Sequence, residues 1–259
     1  MVRGDMKPQE FSSKVSEALR GEPGTSFVLK VLRPLKNDST VMEFKITRKN
    51  IRTNPVPYYG MVKDSIGYLA LSSFTENSAK DFKKAFIELK QKGAKSLIID
   101  LRDNGGGSLS EAVDIVNLYV PKGQEIVVTK GKVRQAQGSY KTQNEPVDTQ
   151  IPLAVLVNGA TASASEIVSG SLQDLDRAVV IGSRTFGKGL VQTIRPLPYN
   201  GTLKVTTSKY YIPSGRCIQA IDYAKKNADG SVARTPDSLT TVFHTAAGRE
   251  VRDLSLIHI

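Results

Sequence analysis

The chain has 259 residues, of which 39% are hydrophobic and 24% are charged, a composition typical of soluble globular proteins. This composition excludes a mainly disordered chain. The longest apolar stretch, Ile151–Val157, is far shorter than the roughly 20 residues that a membrane-spanning helix needs. One cysteine, Cys217, excludes an internal disulfide, a zinc finger and a CxxC redox pair. With two histidines, the chain has almost no material for a Ser-His-Asp triad or a multi-histidine metal site.

The net charge of +11 raises the question of nucleic-acid binding, but the basic residues are scattered along the chain, so no nucleic-acid partner is expected. One segment, Ile126–Asn144, carries four basic residues and no acid. We interpret this segment as an exposed basic loop.

The first 52 residues predict one helix and one hairpin. Residues 7–20 place apolar side chains on one helical face, with Pro8 in the first turn and Gly21 after the last. Residues 26–33 and 41–48 predict two strands joined by a turn at 37–40. Residues 53–64, with Pro55 and Pro57, are typical of a linker.

Residues 65–253 alternate between predicted strands and helices. Strands are predicted at 67–71, 96–100, 152–157, 178–181, 190–194 and 203–211, and helices at 77–92, 109–119 and 163–174. Short continuous apolar runs such as Ser96–Asp100 are typical of strands covered on both faces. The order predicts an α/β core.

The first motif that could carry chemistry is Asp100-Leu-Arg-Asp-Asn-Gly-Gly-Gly107, directly after a buried strand. Consecutive glycines allow backbone conformations that side chains forbid, and their N–H groups can point at an anion or an oxyanion. A tight turn between strand and helix is the alternative interpretation.

The second motif is Asn158-Gly-Ala-Thr-Ala-Ser-Ala-Ser-Glu166, where small residues lead from a strand into a helix. A serine at a helix N-terminus lies beside free backbone N–H groups and is a candidate nucleophile. Helix capping explains the same serines, and the residues alone do not choose between Ser163 and Ser165.

The third motif, Gly182-Ser-Arg-Thr-Phe-Gly-Lys-Gly189, nearly matches a phosphate-binding loop. Gly189 replaces the hydroxyl residue that such a loop needs, and the next residues predict a strand instead of a helix. A partly buried lysine between glycines is instead a candidate general base. If the stretch is a strand, Gln192 shares a face with Lys188 and could orient it.

Together these segments resemble the carboxyl-terminal processing proteases, also called tail-specific proteases, a family of Ser/Lys serine endopeptidases. The match rests on Leu97–Gly107, Thr161–Ile167 and Thr185–Gln192, in the family's order and spacing. The resemblance implies that Ser163 is the nucleophile, Lys188 the general base and Gln192 the residue that orients the lysine. It places the oxyanion hole at the amides of Gly107 and Ala164, and it implies no cofactor and no metal.

The resemblance also implies an architecture: a crotonase-like α/β protease core preceded by a PDZ domain. Residues 1–52 resemble only the C-terminal half of a PDZ domain, so we expect the peptide-binding site of that domain to be absent. The implied partners are protein or peptide substrates with unstructured C-termini, with a homo-oligomer as a further candidate assembly and no stable membrane insertion. A periplasmic or extracytoplasmic location is expected.

The last residues, 254–259, follow no periodic pattern and resemble translated sequencing adapter more than native protein. We therefore expect a non-native tail that lies outside the core. The expected function is a serine endopeptidase that cleaves proteins near their C-termini through a Ser/Lys dyad and an acyl-enzyme. The alternatives are a non-catalytic peptide-binding scaffold, an inactive fragment of such a protease, and an acyl-CoA enzyme of the crotonase type.

Overall fold

The computed structural model describes residues 7–34, 38–51, 53–226, 232–254 and 256, and it divides the chain into two units, Met1–Thr53 and Asn54–Ile259. No helix in these described ranges is long and apolar enough to cross a membrane.

The first unit contains helix α1 (Pro8–Leu19) and an antiparallel hairpin of β1 (Ser26–Pro34) and β2 (Ser39–Thr47). Pro8 suits the first turn because that position needs no backbone N–H donor. The Arg48 guanidinium closes the other end of α1 by donating to the carbonyl oxygens of Ala18 and Leu19, at 3.1 and 2.9 Å. The predicted turn at 37–40 lies partly outside the described residues.

The second unit is built on a five-stranded sheet that contains, in spatial order, β3 (Tyr58–Lys63), β4 (Ile66–Ala70), β5 (Ser96–Asp100), β8 (Leu153–Val157) and β9 (Ala178–Gly182). The sheet is parallel except for the edge strand β3. Helices α2 (Ser78–Gln91), α3 (Leu109–Val116) and α4 (Ala164–Asp174) lie between these strands in the chain. Every residue of α4 is buried.

A second, antiparallel sheet contains β6 (Glu125–Gly131), β7 (Gly138–Lys141), β10 (Leu190–Pro196) and β11 (Thr202–Tyr211). The order of these strands in the sheet is β10-β11-β6-β7. Two short hairpins complete the described part: β12 (Ile221–Lys226) with β13 (Val232–Arg234), and β14 (Val242–His244) with β15 (Glu250–Arg252).

The prediction of a wholly exposed basic loop at Ile126–Asn144 is wrong. Ile126 and Val127 of β6 are fully buried in the hydrophobic core, whereas Lys130 near the end of the strand is exposed. The assignment of 53–64 to a linker is also wrong over Tyr58–Lys63, which pairs with β4 as strand β3.

The C-terminal segment differs from its prediction as well. Leu256 is fully buried, and its N–H and C=O exchange hydrogen bonds with Thr185, at 2.9 Å to the hydroxyl and 3.1 Å from the amide. The expectation that the tail lies outside the core is therefore wrong at Leu256, while Ser255 and Ile257–Ile259 lie outside the described residues.

Candidate active site

The three motifs follow the carboxyl ends of three adjacent parallel strands. The glycine-rich loop follows β5, the small-residue turn follows β8, and the loop carrying Lys188 follows β9. The carboxyl ends of parallel strands meet at one edge of a sheet, where α/β proteins commonly bind ligands. The topology thus brings segments that are distant in sequence to one edge.

The glycine loop lies directly against the serine turn. A Cβ built on Gly106 would lie 2.8 Å from the Cβ of Ser163 and 2.8 Å from the amide nitrogen of Ala164. Gly107 has φ +148°, and a Cβ there would lie 2.2 Å from the carbonyl oxygen of Phe74. Glycine is required at both positions because any side chain would collide with backbone.

Asp100, at the end of β5, anchors the start of this loop. Its carboxylate accepts hydrogen bonds from both Nε and Nη2 of Arg102, the latter at 2.6 Å, and from the Tyr68 hydroxyl at 2.5 Å. Burial opposes the charge on Asp100, but the hydrogen bonds from Arg102 and Tyr68 outweigh it and lower the pKa of the carboxyl.

Asn104 joins the glycine loop to the serine turn. Its buried side chain donates to the carbonyl oxygen of Leu71 at 2.7 Å and accepts from the Gly106 amide at 2.9 Å. Its backbone oxygen accepts from the Ala162 amide at 3.0 Å and the Ser165 hydroxyl at 2.9 Å. The two segments are therefore held in register.

The structure separates the two candidate serines. Ser165 is fully buried inside α4, and its hydroxyl is already engaged. Ser163 lies at the N-terminus of α4, is only half-buried, and has φ +59° and ψ −117°. Such strained backbone at the start of a helix is typical of functional residues, including nucleophiles on sharp strand-to-helix turns.

Two backbone amides beside Ser163 are available to an oxyanion. Within the described ranges, neither the Gly107 amide nor the Ala164 amide has a hydrogen-bond acceptor. Both belong to the two segments that meet at Gly106. These are the two amides that the sequence analysis predicts for an oxyanion hole.

Lys188 follows β9 and is half-buried in the loop between β9 and β10. The predicted strand face shared by Lys188 and Gln192 is wrong, because β10 begins at Leu190 and a bulge between Val191 and Gln192 breaks the alternation. In the described part of the chain, the side chains of Lys188 and Gln192 make no hydrogen bond with each other, and Gln192 is exposed.

Two buried residues that sequence reasoning missed connect the serine turn to the lysine loop. The Glu166 carboxylate accepts from the amides of Ser163 and Lys188, at 2.8 and 2.9 Å. The Tyr210 hydroxyl, from β11, lies between the carbonyl oxygens of the same two residues. A glutamate three residues after a capping serine is a recognisable signal for Glu166, whereas only the sheet pairing reveals Tyr210.

The comparisons with known proteins identify the family of this chain. The model of peptidase family S41 matches residues 65–225, which is more than half of the chain. The chain belongs to peptidase family S41. The matched range contains all the candidate site residues: Gly107, Ser163, Ala164, Lys188 and Gln192.

Its curated relatives include proteases named for carboxyl-terminal processing. One from Bartonella bacilliformis is 40% identical over 209 residues, covering 79% of this chain and 47% of the relative. One from Picosynechococcus is 39% identical over 199 residues, covering 75% of this chain and 46% of the relative. The chain thus spans about half the length of these relatives.

A solved structure, the photosystem II D1 C-terminal processing protease, shares the fold. It superposes with a TM-score of 0.58 and 31% sequence identity, covering 80% of this chain and 56% of the other. The mixed α/β architecture is thus that of S41 proteases.

Proposed function

We propose that the chain is the core of a serine endopeptidase that cleaves proteins near their C-termini through a Ser163/Lys188 dyad. The observation that carries the proposal is the shared carboxylate oxygen Oε2 of Glu166, which accepts from the backbone amides of both Ser163 and Lys188. Because both amides donate to one carboxylate oxygen, the backbones of the proposed nucleophile and the proposed base lie close together, which supports the dyad. Membership of a peptidase family supports the reaction class.

In the proposed reaction, the side-chain nitrogen of Lys188 takes the proton of the Ser163 hydroxyl as Oγ bonds to the carbonyl carbon of the scissile peptide. The amides of Gly107 and Ala164 donate to the resulting oxyanion. The C–N bond then breaks, and the proton passes from Lys188 to the leaving amine. Water then attacks the acyl carbon as Lys188 accepts one of its protons. The bond between that carbon and Ser163 Oγ breaks to free the new carboxyl group, and Lys188 returns the proton to Oγ. Gln192 is proposed to orient Lys188 once substrate is bound, since unliganded catalytic hydrogen bonds are often long.

We further propose the finer assignments that the family resemblance implies. The helix followed by a hairpin in Met1–Thr53 supports half of a PDZ domain, and the parallel sheet with its helices supports a crotonase-like core in Asn54–Ile259. The substrates are proteins with unstructured C-termini, and the location is periplasmic or otherwise extracytoplasmic.

A fluorophosphonate reagent tests the nucleophile, because it modifies activated serines. Mass spectrometry of the unmutated chain should find the modification on Ser163 alone. Ser163→Ala should abolish both the modification and hydrolysis of an unstructured peptide. Ser169→Ala is the matched control, since Ser169 is a buried serine of the same helix whose hydroxyl donates to the Ser165 carbonyl.

Three results would contradict the proposal. Modification of Ser165 would show that Ser165, and not Ser163, is the nucleophile. Hydrolysis that survives Ser163→Ala and vanishes in Ser165→Ala would show the same. An unmutated chain that is neither modified nor hydrolytic would favour a non-catalytic scaffold. Turnover of a CoA thioester without peptide hydrolysis would favour the acyl-CoA alternative.

A further inference from the structure

The Tyr210 hydroxyl lies beside the proposed dyad but takes no part in the proposed reaction. Tyr210 is 2% exposed, and its backbone amide is fixed by a 3.0 Å hydrogen bond to the Gly189 carbonyl. The hydroxyl donates to the Lys188 carbonyl and lies 3.2 Å from the Ser163 carbonyl oxygen. It therefore contacts the main chain of both residues of the proposed dyad.

Glu166 makes the corresponding contacts on the amide side of the same two residues. Its Oε2 accepts from Ser163 and Lys188, while its Oε1 accepts from the Gly187 amide at 2.7 Å and the Thr185 hydroxyl at 2.6 Å. Each carboxylate oxygen thus takes two donors. Three of the four donors belong to the loop that carries Lys188.

We propose that Glu166 and Tyr210 form a two-sided clamp that positions Ser163 against Lys188, Glu166 through the N–H groups and Tyr210 through the C=O groups. The proposal rests on the proposed function, and it makes both side chains positioning residues. Neither needs to touch the substrate.

The chemistry of the clamp explains why it would be rigid. Burying a carboxylate is costly unless its oxygens are fully hydrogen-bonded, so the Lys188 loop is held in the one arrangement that delivers three donors to Glu166. Burial raises the pKa of the Glu166 carboxyl, and these hydrogen bonds oppose that change. Tyr210 then fixes the rotation of the two peptide groups, because their carbonyls must point toward one hydroxyl.

Tyr210→Phe removes the hydroxyl and keeps the buried ring. The matched control is Tyr119→Phe, because Tyr119 is equally buried while its hydroxyl has no hydrogen-bond partner among the described residues. Both variants are treated with a fluorophosphonate, and the rate constant of Ser163 modification is measured separately from the fraction of molecules modified. Misfolding lowers the fraction, whereas mispositioning lowers the rate constant.

We expect Tyr210→Phe to lower the rate constant about 10- to 100-fold with an unchanged fraction, since misplacement by about 1 Å can cost that much. Tyr119→Phe should match the unmutated chain. Glu166→Gln replaces one carboxylate oxygen with an NH2 group that faces backbone N–H donors, so it should lower the rate constant by a similar factor. If the two residues act as one clamp, the double variant should lose less than the product of the two single losses.

The outcomes separate the two proposals. Modification of Tyr210→Phe at the unmutated rate would overturn the clamp alone. Equal losses in Tyr210→Phe and Tyr119→Phe, or losses that simply multiply in the double variant, would also overturn it. If Ser163 is not modified in the unmutated chain, the proposed function fails and the clamp fails with it. If Tyr210→Phe lowers the fraction of molecules modified, the rate constant of Glu166→Gln tests the clamp instead, and a rate constant equal to that of the unmutated chain would overturn it.

Discussion

Leu256→Ala should strongly destabilise the second unit, although the sequence analysis expects this segment to lie outside the core. Leu256 is fully buried, and a Cβ built on Gly170 would lie 3.1 and 3.2 Å from its two methyl carbons. The leucine methyls therefore pack directly against the backbone of α4, where Gly170 has no side chain that could move into a vacated space. A cavity left by truncation should persist.

Leucine-to-alanine changes in cores cost about 2–5 kcal/mol, and the cost rises with the volume of the cavity that remains. For a site that cannot collapse we expect about 3–5 kcal/mol, in the upper part of that range. In a domain of this size, such a loss lowers the Tm by about 10 °C.

Thermal unfolding followed by circular dichroism measures the effect. Leu239→Ala is the matched control, because Leu239 is 68% exposed and its truncation should change stability by no more than about 0.5 kcal/mol. If Leu256→Ala and Leu239→Ala have the same Tm as the unmutated chain, the reasoning from burial at Leu256 is refuted.

Three further predictions follow from particular contacts. Gly107→Ala should slow fluorophosphonate modification of Ser163 about 100-fold or more. Gly105→Ala should leave the rate unchanged, because a Cβ there meets nothing within 4 Å. Equal modification rates in the two variants would contradict the oxyanion-hole assignment. Asp174→Asn should lower the free energy of unfolding, measured in urea, by about 3–5 kcal/mol, because the Arg216 guanidinium loses its countercharge. That guanidinium is 1% exposed and lies 2.6 Å from the Asp174 carboxylate. A loss under about 1 kcal/mol would contradict this prediction. Because the pKa of Asp100 is lowered in the folded state, its contribution to stability is present above about pH 4 and is lost as the pH falls below it. Asp100→Asn should therefore flatten the acid branch of the stability profile, and an unchanged slope would count against this.

Much of the second unit's architecture was predictable because its hydrophobic periodicity is strong. Strand β5 was predicted at the same bounds, Ser96–Asp100, and α4 was predicted one residue early at its start. Helix α3 ends at Val116 instead of residue 119, because the chain tightens into a turn in which the Leu118 amide bonds to the Ile115 carbonyl. Local patterns capture elements well and their ends less well.

The errors arose where distant segments determine the structure. The basic residues near β6 suggested a loop, yet β6 pairs with β11, and Ile126 and Val127 at its start are fully buried. Leu256 belongs to no local pattern and is placed by contacts with α4 and Thr185. The same limitation applies to Tyr210, whose neighbours Ser163 and Lys188 are 47 and 22 positions away in sequence.

The sequence motifs of the candidate site could be predicted, but the distances and hydrogen bonds between them could not. Glycine runs, a capping serine and a flanked lysine are visible in the sequence, and a family resemblance was needed to choose Ser163 over Ser165. The structure supplies an independent physical reason for that choice, because the Ser165 hydroxyl is buried and bonded to Asn104.

The most direct test of the central claim compares the peptidase rates of Lys188→Arg and Lys188→Ala with that of the unmutated chain. A general base must lose its proton, and arginine stays charged in proteins because its pKa is above about 12. The Ser163/Lys188 mechanism therefore predicts that both variants are inactive, although arginine keeps the positive charge. Substantial activity in Lys188→Arg would show that residue 188 acts only through its charge, and it would contradict the mechanism.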